Sequence, residues 1–110
     1  MAYTIEAALA DQDITLIEQN DAMGEYVFTI GELETTVIVT LRRLPHDEAF
    51  EFRTSHAIKT PTQIAPYTTS QPFEKDYAYA LHRAVSGLTE YYREGVAAGY
   101  QPAEDWLVER

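Results

Sequence analysis

Between Arg53 and Tyr67 the chain gathers Arg53, Ser55, His56, Lys59 and Tyr67, of which Arg53, His56 and Lys59 could hold a phosphate or carboxylate on a partner. The Arg fork pairs two-to-one with a carboxylate or phosphate, Lys adds a point charge, and Ser, His and Tyr supply hydrogen bonds. These five are the candidate binding residues. The same cations have a structural alternative. In a chain of net charge −10, Arg53, His56 and Lys59, like the neighbouring pair Arg42-Arg43, would neutralise acidic side chains across the fold.

Other chemistries find less footing. The histidines His46, His56 and His82 are not spaced as a helical metal pair, and none lies in an H-E-x-x-H arrangement. His46-Asp47-Glu48 offers possible ligands but reads as a solvated acidic turn. Ser86-Gly87 lacks the first glycine of a nucleophile elbow and falls in the middle of a helical pattern, where a small pair permits close packing. The glycines Gly24, Gly31, Gly87, Gly95 and Gly99 do not space as a phosphate-binding fingerprint. Without cysteine, disulfides, thiolate catalysis and Cys-type zinc sites are excluded. No catalytic residue, metal or cofactor is expected, and the chain reads as a non-enzyme.

The elements that would position these groups follow from periodicity. Thr4 caps a short helix reaching Asp11. Ile14 to Glu18 reads as a strand, followed by the polar turn Gln19 to Gly24. Tyr26, Phe28 and Ile30 share one face of a second strand, and Val37, Val39 and Leu41 share one face of a third. Phe50 and Phe52 alternate with Glu51 and Arg53 in a fourth, so short turns join four strands into an antiparallel meander.

From Thr54 to Pro72 the chain holds seven Ser or Thr and three prolines, which reads as a long loop. Ile58, Ile64 and Tyr67 are available to pin it to the body. Tyr77, Leu81, Ala84, Val85, Leu88, Tyr92 and Val96 then recur at spacings of three and four, predicting a helix over about 75–98 that stops at Gly99. Pro102 to Val108 reads as a short closing helix with Trp106 as an anchor. The expected fold is α+β, a four-stranded antiparallel meander packed on one long C-terminal helix, in one domain over residues 1–110. This order resembles double-stranded-RNA-binding domains and small secretion chaperones in architecture alone. The basic helix start that an RNA binder needs is replaced here by Phe73-Glu74-Lys75-Asp76.

Charge is concentrated at one end: residues 1–34 carry eight carboxylates and no Lys or Arg. Such a surface repels polyanions and attracts basic partners, so direct nucleic-acid binding is not expected. No apolar run nears the roughly 20 residues that span a bilayer. With no basic region or long apolar core in its first residues, the chain is expected to be soluble and cytoplasmic.

Three functions fit these features. The first is a protein-binding, adaptor or regulatory module that uses the 54–72 loop and the neighbouring sheet edge. The second is an acidic decoy that mimics nucleic acid on a basic protein surface. The third is a small ligand-binding domain or enzyme with a pocket between sheet and loop, lined by Arg53, His56 and Tyr67. Two open sheet edges also allow a homodimer.

Overall fold

A computed structural model describes residues 3–110. Helix α1 (Ile5–Leu9) begins where the Thr4 hydroxyl oxygen accepts the Ala7 N–H at 3.0 Å, the cap expected from its sequence. Strands β1 (Ile14–Asn20), β2 (Glu25–Ile30), β3 (Val37–Arg43) and β4 (Phe50–Thr54) form the predicted antiparallel meander in sequence order. A bulge between Leu16 and Glu18 adds one residue to β1, and Ile17 at that bulge is left exposed.

Alternation sets which face is buried. Tyr26, Phe28 and Ile30 from β2, with Val37, Val39 and Leu41 from β3, point into the core beneath helix α2 (Tyr77–Ala97). From the helix come Leu81, Ala84, Val85, Leu88 and Tyr92, the stripe anticipated from the three- and four-residue spacing. Burying each large apolar side chain contributes about 1.5–3 kcal/mol, so this interface carries most of the hydrophobic stabilisation. The Asp76 carboxylate accepts the Tyr79 N–H at 2.8 Å and starts α2. At its other end Gly99 sits at φ +93°, Tyr100 N–H bonds back to Gly95 C=O, and Gly99 N–H bonds to Val96 C=O. That pairing is a Schellman stop, which needs a residue able to adopt the left-handed conformation.

The structure departs from expectation after Thr54. The stretch read as loop opens with strand β5 (His56–Ile58), and a two-residue strand β6 (Phe73–Glu74) joins β4 as a fifth member of the sheet. β5 pairs with β7 (Leu107–Glu109), which lies where the closing helix was expected; only Glu104–Trp106 forms a single 3-10 turn. Three-residue strands are too short to show alternation, and this ribbon exists only because its halves meet from distant parts of the chain. Trp106 is buried as expected of an anchor, and Gly95 is what lets it approach: a side chain there would meet Trp106 at 3.0 Å and Thr60 at 3.1 Å. Among the described residues no helix is long and apolar enough to cross a membrane.

Candidate binding cleft

The strap between β5 and β6 is fastened at both ends. Lys59 N–H donates to Trp106 C=O at 2.8 Å, Thr60 is fully buried, and Tyr67 N–H returns to Ile58 C=O at 3.0 Å. Gln63 closes the first turn, accepting the Thr60 N–H and donating to Ile58 C=O. At the far end Phe52 N–H donates to Pro72 C=O, and Arg83 Nη1 donates to Gln71 C=O. Of the three apolar residues available as pins, Ile58 is buried and Tyr67 half-buried, but Ile64 stands fully in solvent.

Between these anchors Tyr67, Thr69 and Pro72 of the strap form one side of an open cleft of about 400 Å³. That is the lower end of the size range of ligand sites. Its apolar walls come from β4 (Phe52), β5 (Ala57), α2 (Ala84, Gly87, Leu88) and the Tyr67 ring. Gly87 brings Tyr67 close, since a Cβ there would lie 3.1 Å from the ring. The small residue anticipated as a packing contact therefore serves the strap rather than the sheet. Tyr67 also tilts against Tyr91 at 5.0 Å between ring centres, over a second hollow of about 100 Å³. Burial, reinforced by Tyr67, pushes the Tyr91 hydroxyl pKa up and keeps it neutral.

Arg53, Arg83 and Arg110 line the cleft, with Glu51 the only carboxylate among its lining residues. Each arginine is held differently. Arg83 lies 5.0 Å above the centre of the Phe52 ring and bonds Glu74 at 2.8 Å, so much of its charge is spent on closing the strap. Arg53 reaches Glu51 Oε1 through Nε at 3.2 Å, and Arg42 reaches the same oxygen at 2.9 Å. Arg42, with Arg53 behind it, holds the Glu51 carboxyl below the usual range, so it stays charged near neutral pH. One carboxylate oxygen thus serves two guanidinium groups. Arg110 has no carboxylate within ion-pair reach among the described residues; its backbone N–H donates to Ser55 C=O, and Nη2 reaches only Tyr67 C=O at 3.4 Å.

Of the five residues singled out in the sequence, the cleft collects Arg53 and Tyr67; Ser55, His56 and Lys59 do not line it. Ser55 Oγ instead accepts the Ile38 N–H at 2.9 Å and lies 2.8 Å from His56 Nδ1. That spacing suits a hydroxyl and a base, but both side chains stand on the β3 side of the strand, away from the cleft walls. Neutralisation of the acidic end falls to Arg93, which bonds Asp13 at 2.7 Å and Asp11 at 3.1 Å, rather than to the basic group near residue 53. Arg83 and Arg110 escaped the sequence reading because no spacing links positions 53, 83 and 110; only α2 and the β5–β7 ribbon bring them together. Among the described residues no cluster of His, Asp or Glu is arranged to hold a metal. No family description, curated protein or solved structure matches this chain.

Proposed function

We propose that this protein is a non-enzymatic binding module, an adaptor or regulator, that engages a protein partner at the cleft between β4, α2 and the 59–72 strap. The observation that carries this reading is the convergence of three guanidinium groups, from three separate elements, around one apolar-floored hollow in a chain of net charge −10. Arg83 is paired with Glu74, but Arg53 shares the Glu51 oxygen with Arg42 and Arg110 has no carboxylate partner among the described residues, so the cleft keeps cationic capacity to spare. An anionic, partly apolar group on a partner would complete the balance. A cytoplasmic setting belongs to the same proposal and accords with a cysteine-free chain.

Gly87→Leu tests this without touching any charge. The new side chain would meet Tyr67 and occupy the hollow, while leucine is a better helix former than glycine. Affinity capture from host lysate should lose the partner retained by the unaltered protein, with thermal unfolding still cooperative. Undiminished capture by a folded Gly87→Leu variant would contradict the proposal.

A further inference from the structure

The β4 edge beside the cleft shows what part of a partner would fit there. Ser55 N–H donates to Ile38 C=O on β3, and Phe52 N–H donates outward to Pro72 C=O. Strand alternation therefore turns the Thr54 N–H to the same outward edge as that of Phe52. Pro72 is the last residue through which the strap covers this edge: β6 pairs only with Phe50 and Glu51, and upstream of Pro72 the chain leaves β4 to pass around the cleft. Thr54 is a lining residue of that hollow. An uncovered donor on a strand edge is where an extended peptide adds itself to a sheet.

The cations lie at the same place. Arg53 uses Nε for Glu51, and its two terminal nitrogens make no hydrogen bond within the described residues; its side chain is 68% exposed. Arg110, which lines the same cleft, is held through its N–H to Ser55 C=O, two residues along the chain from Arg53. Phe52, Ala57, Ala84 and Leu88 form the apolar wall of the cleft that both arginines line, with Glu51 as the one lining carboxylate. The cleft thus brings together a strand edge, an apolar hollow and two arginines with unused donors.

From this juxtaposition we infer that the cleft receives the carboxyl terminus of a partner chain. The last side chain of the partner, large and apolar, occupies the hollow; its terminal carboxylate lies against Arg53 and Arg110; and the preceding residues extend along the Thr54 edge. The inference rests on the reading of the cleft as the partner site and adds what the partner presents. Charge complementarity selects this occupant, because an internal apolar segment leaves Arg110 without an anion and Arg53 with only the Glu51 oxygen that it shares with Arg42. A free organic acid satisfies the cations but leaves the strand edge unused.

The test uses N-acetyl-Gly-Ser-Val-Xaa peptides, with Xaa being Phe, Leu or Val, prepared as free acids and as C-terminal amides. 3-Phenylpropionate serves as the free-acid control. Each is titrated into isotope-labelled protein and followed by backbone amide NMR. The free-acid peptides should move the Thr54, Gly87 and Leu88 resonances saturably, and amidation should weaken binding at least about tenfold, as expected for loss of a charge-assisted contact. Replacing both Arg53 and Arg110 by Ala should cost a similar factor, and 3-phenylpropionate should bind more weakly than the best peptide. Equal binding of acid and amide, the absence of saturable shifts at the cleft, or a free acid as tight as the peptide would each overturn the inference. If Gly87→Leu abolishes partner capture while acid and amide bind alike, the cleft remains the partner site and only the carboxyl-terminal assignment falls.

Discussion

At one end of the sheet Asp11 and Asp13 both meet Arg93, and Asp11 also accepts the hydroxyl proton of the buried Thr89. At the far end of β1, Asp21 accepts from the Tyr26 hydroxyl, which in turn lies 2.9 Å from that of Tyr77. Burial and these partners push the Tyr26 pKa far up, so the hydroxyl stays a donor. At the opposite edge, Arg53 shares a carboxylate oxygen with Arg42, and Arg110 has no acidic partner among the described residues. The acidic first third of the chain spends several of its charges at both ends of β1, fastening them to β2 and α2, whereas Arg53 and Arg110 at the cleft face solvent. Charge abundance in the sequence is therefore a poor guide to where charge is available for binding. The third of the chain richest in carboxylates has committed several of them, while Arg110 has no acidic partner among the described residues.

The contrast makes stability and binding separable. In the acidic third, Gly31 sits at φ +51°, and any Cβ there would run into the Tyr92 hydroxyl that accepts the Glu32 N–H. Gly31→Ala should destabilise the protein by about 3 kcal/mol, from left-handed strain plus the lost hydrogen bond, as read from urea unfolding. Arg93→Ala should cost about 1 kcal/mol, because the cation is 40% exposed and its pairs are partly screened. The hydrogen bond from Arg93 to Asp13 also raises the Arg93 pKa, so this fastening persists across the physiological range. Neither substitution should change partner affinity once the protein is folded. The double substitution of Arg53 and Arg110 by Ala should do the reverse, altering stability by less than about 0.5 kcal/mol while weakening partner retention about tenfold. If Arg93→Ala proves neutral to stability, the acidic end is not the fastened region described here.

The smallest effect concerns Glu104, whose carboxylate accepts the Thr35 hydroxyl at 2.7 Å and the N–H groups of Glu34 and Thr35. The Thr35 hydroxyl, then the Glu34 N–H, hold its carboxyl below the ordinary value of 4.5. A carboxyl that binds its proton less readily when folded contributes stability above the ordinary value, and that contribution is lost as pH falls through the folded one. Glu104→Gln should therefore lower the neutral plateau slightly and flatten the acid side of the stability curve, so that the two proteins converge below pH 4.5. An unchanged acid slope would show that these hydrogen bonds carry no linkage.

The meander and the long helix were legible because their signals are local and repeated. Tyr26, Phe28 and Ile30 alternate within one strand, and Leu81, Ala84, Val85, Leu88 and Tyr92 recur along a single helix. Thr4 and Gly99 acted as the cap and stop that their types imply. The β5–β7 ribbon was not legible, because His56–Ile58 pairs with a segment some fifty positions away and each half is too short to carry a period. The cleft was half legible for the same reason. Arg53 and Tyr67 stand near one another in sequence, while Arg83 arrives on a helix and Arg110 just past the far strand of the ribbon. The identification of 54–72 as the segment to watch followed from its prolines and hydroxyl residues. That it forms a fastened wall, anchored by Thr60, Gln63 and Tyr67, required their long-range partners.

The most direct measurement is a side-by-side capture of the partner at low and high salt, using two charge-neutralised proteins. One carries Arg53→Ala with Arg110→Ala at the cleft; the other carries Glu18→Gln with Glu25→Gln on the exposed acidic edge. The account predicts that only the cleft variant loses the partner and that the acidic-edge variant retains it at both salt concentrations. Loss of the partner by the acidic-edge variant, with steep salt sensitivity and full retention by the cleft variant, would contradict it and identify the carboxylate surface as the one that binds.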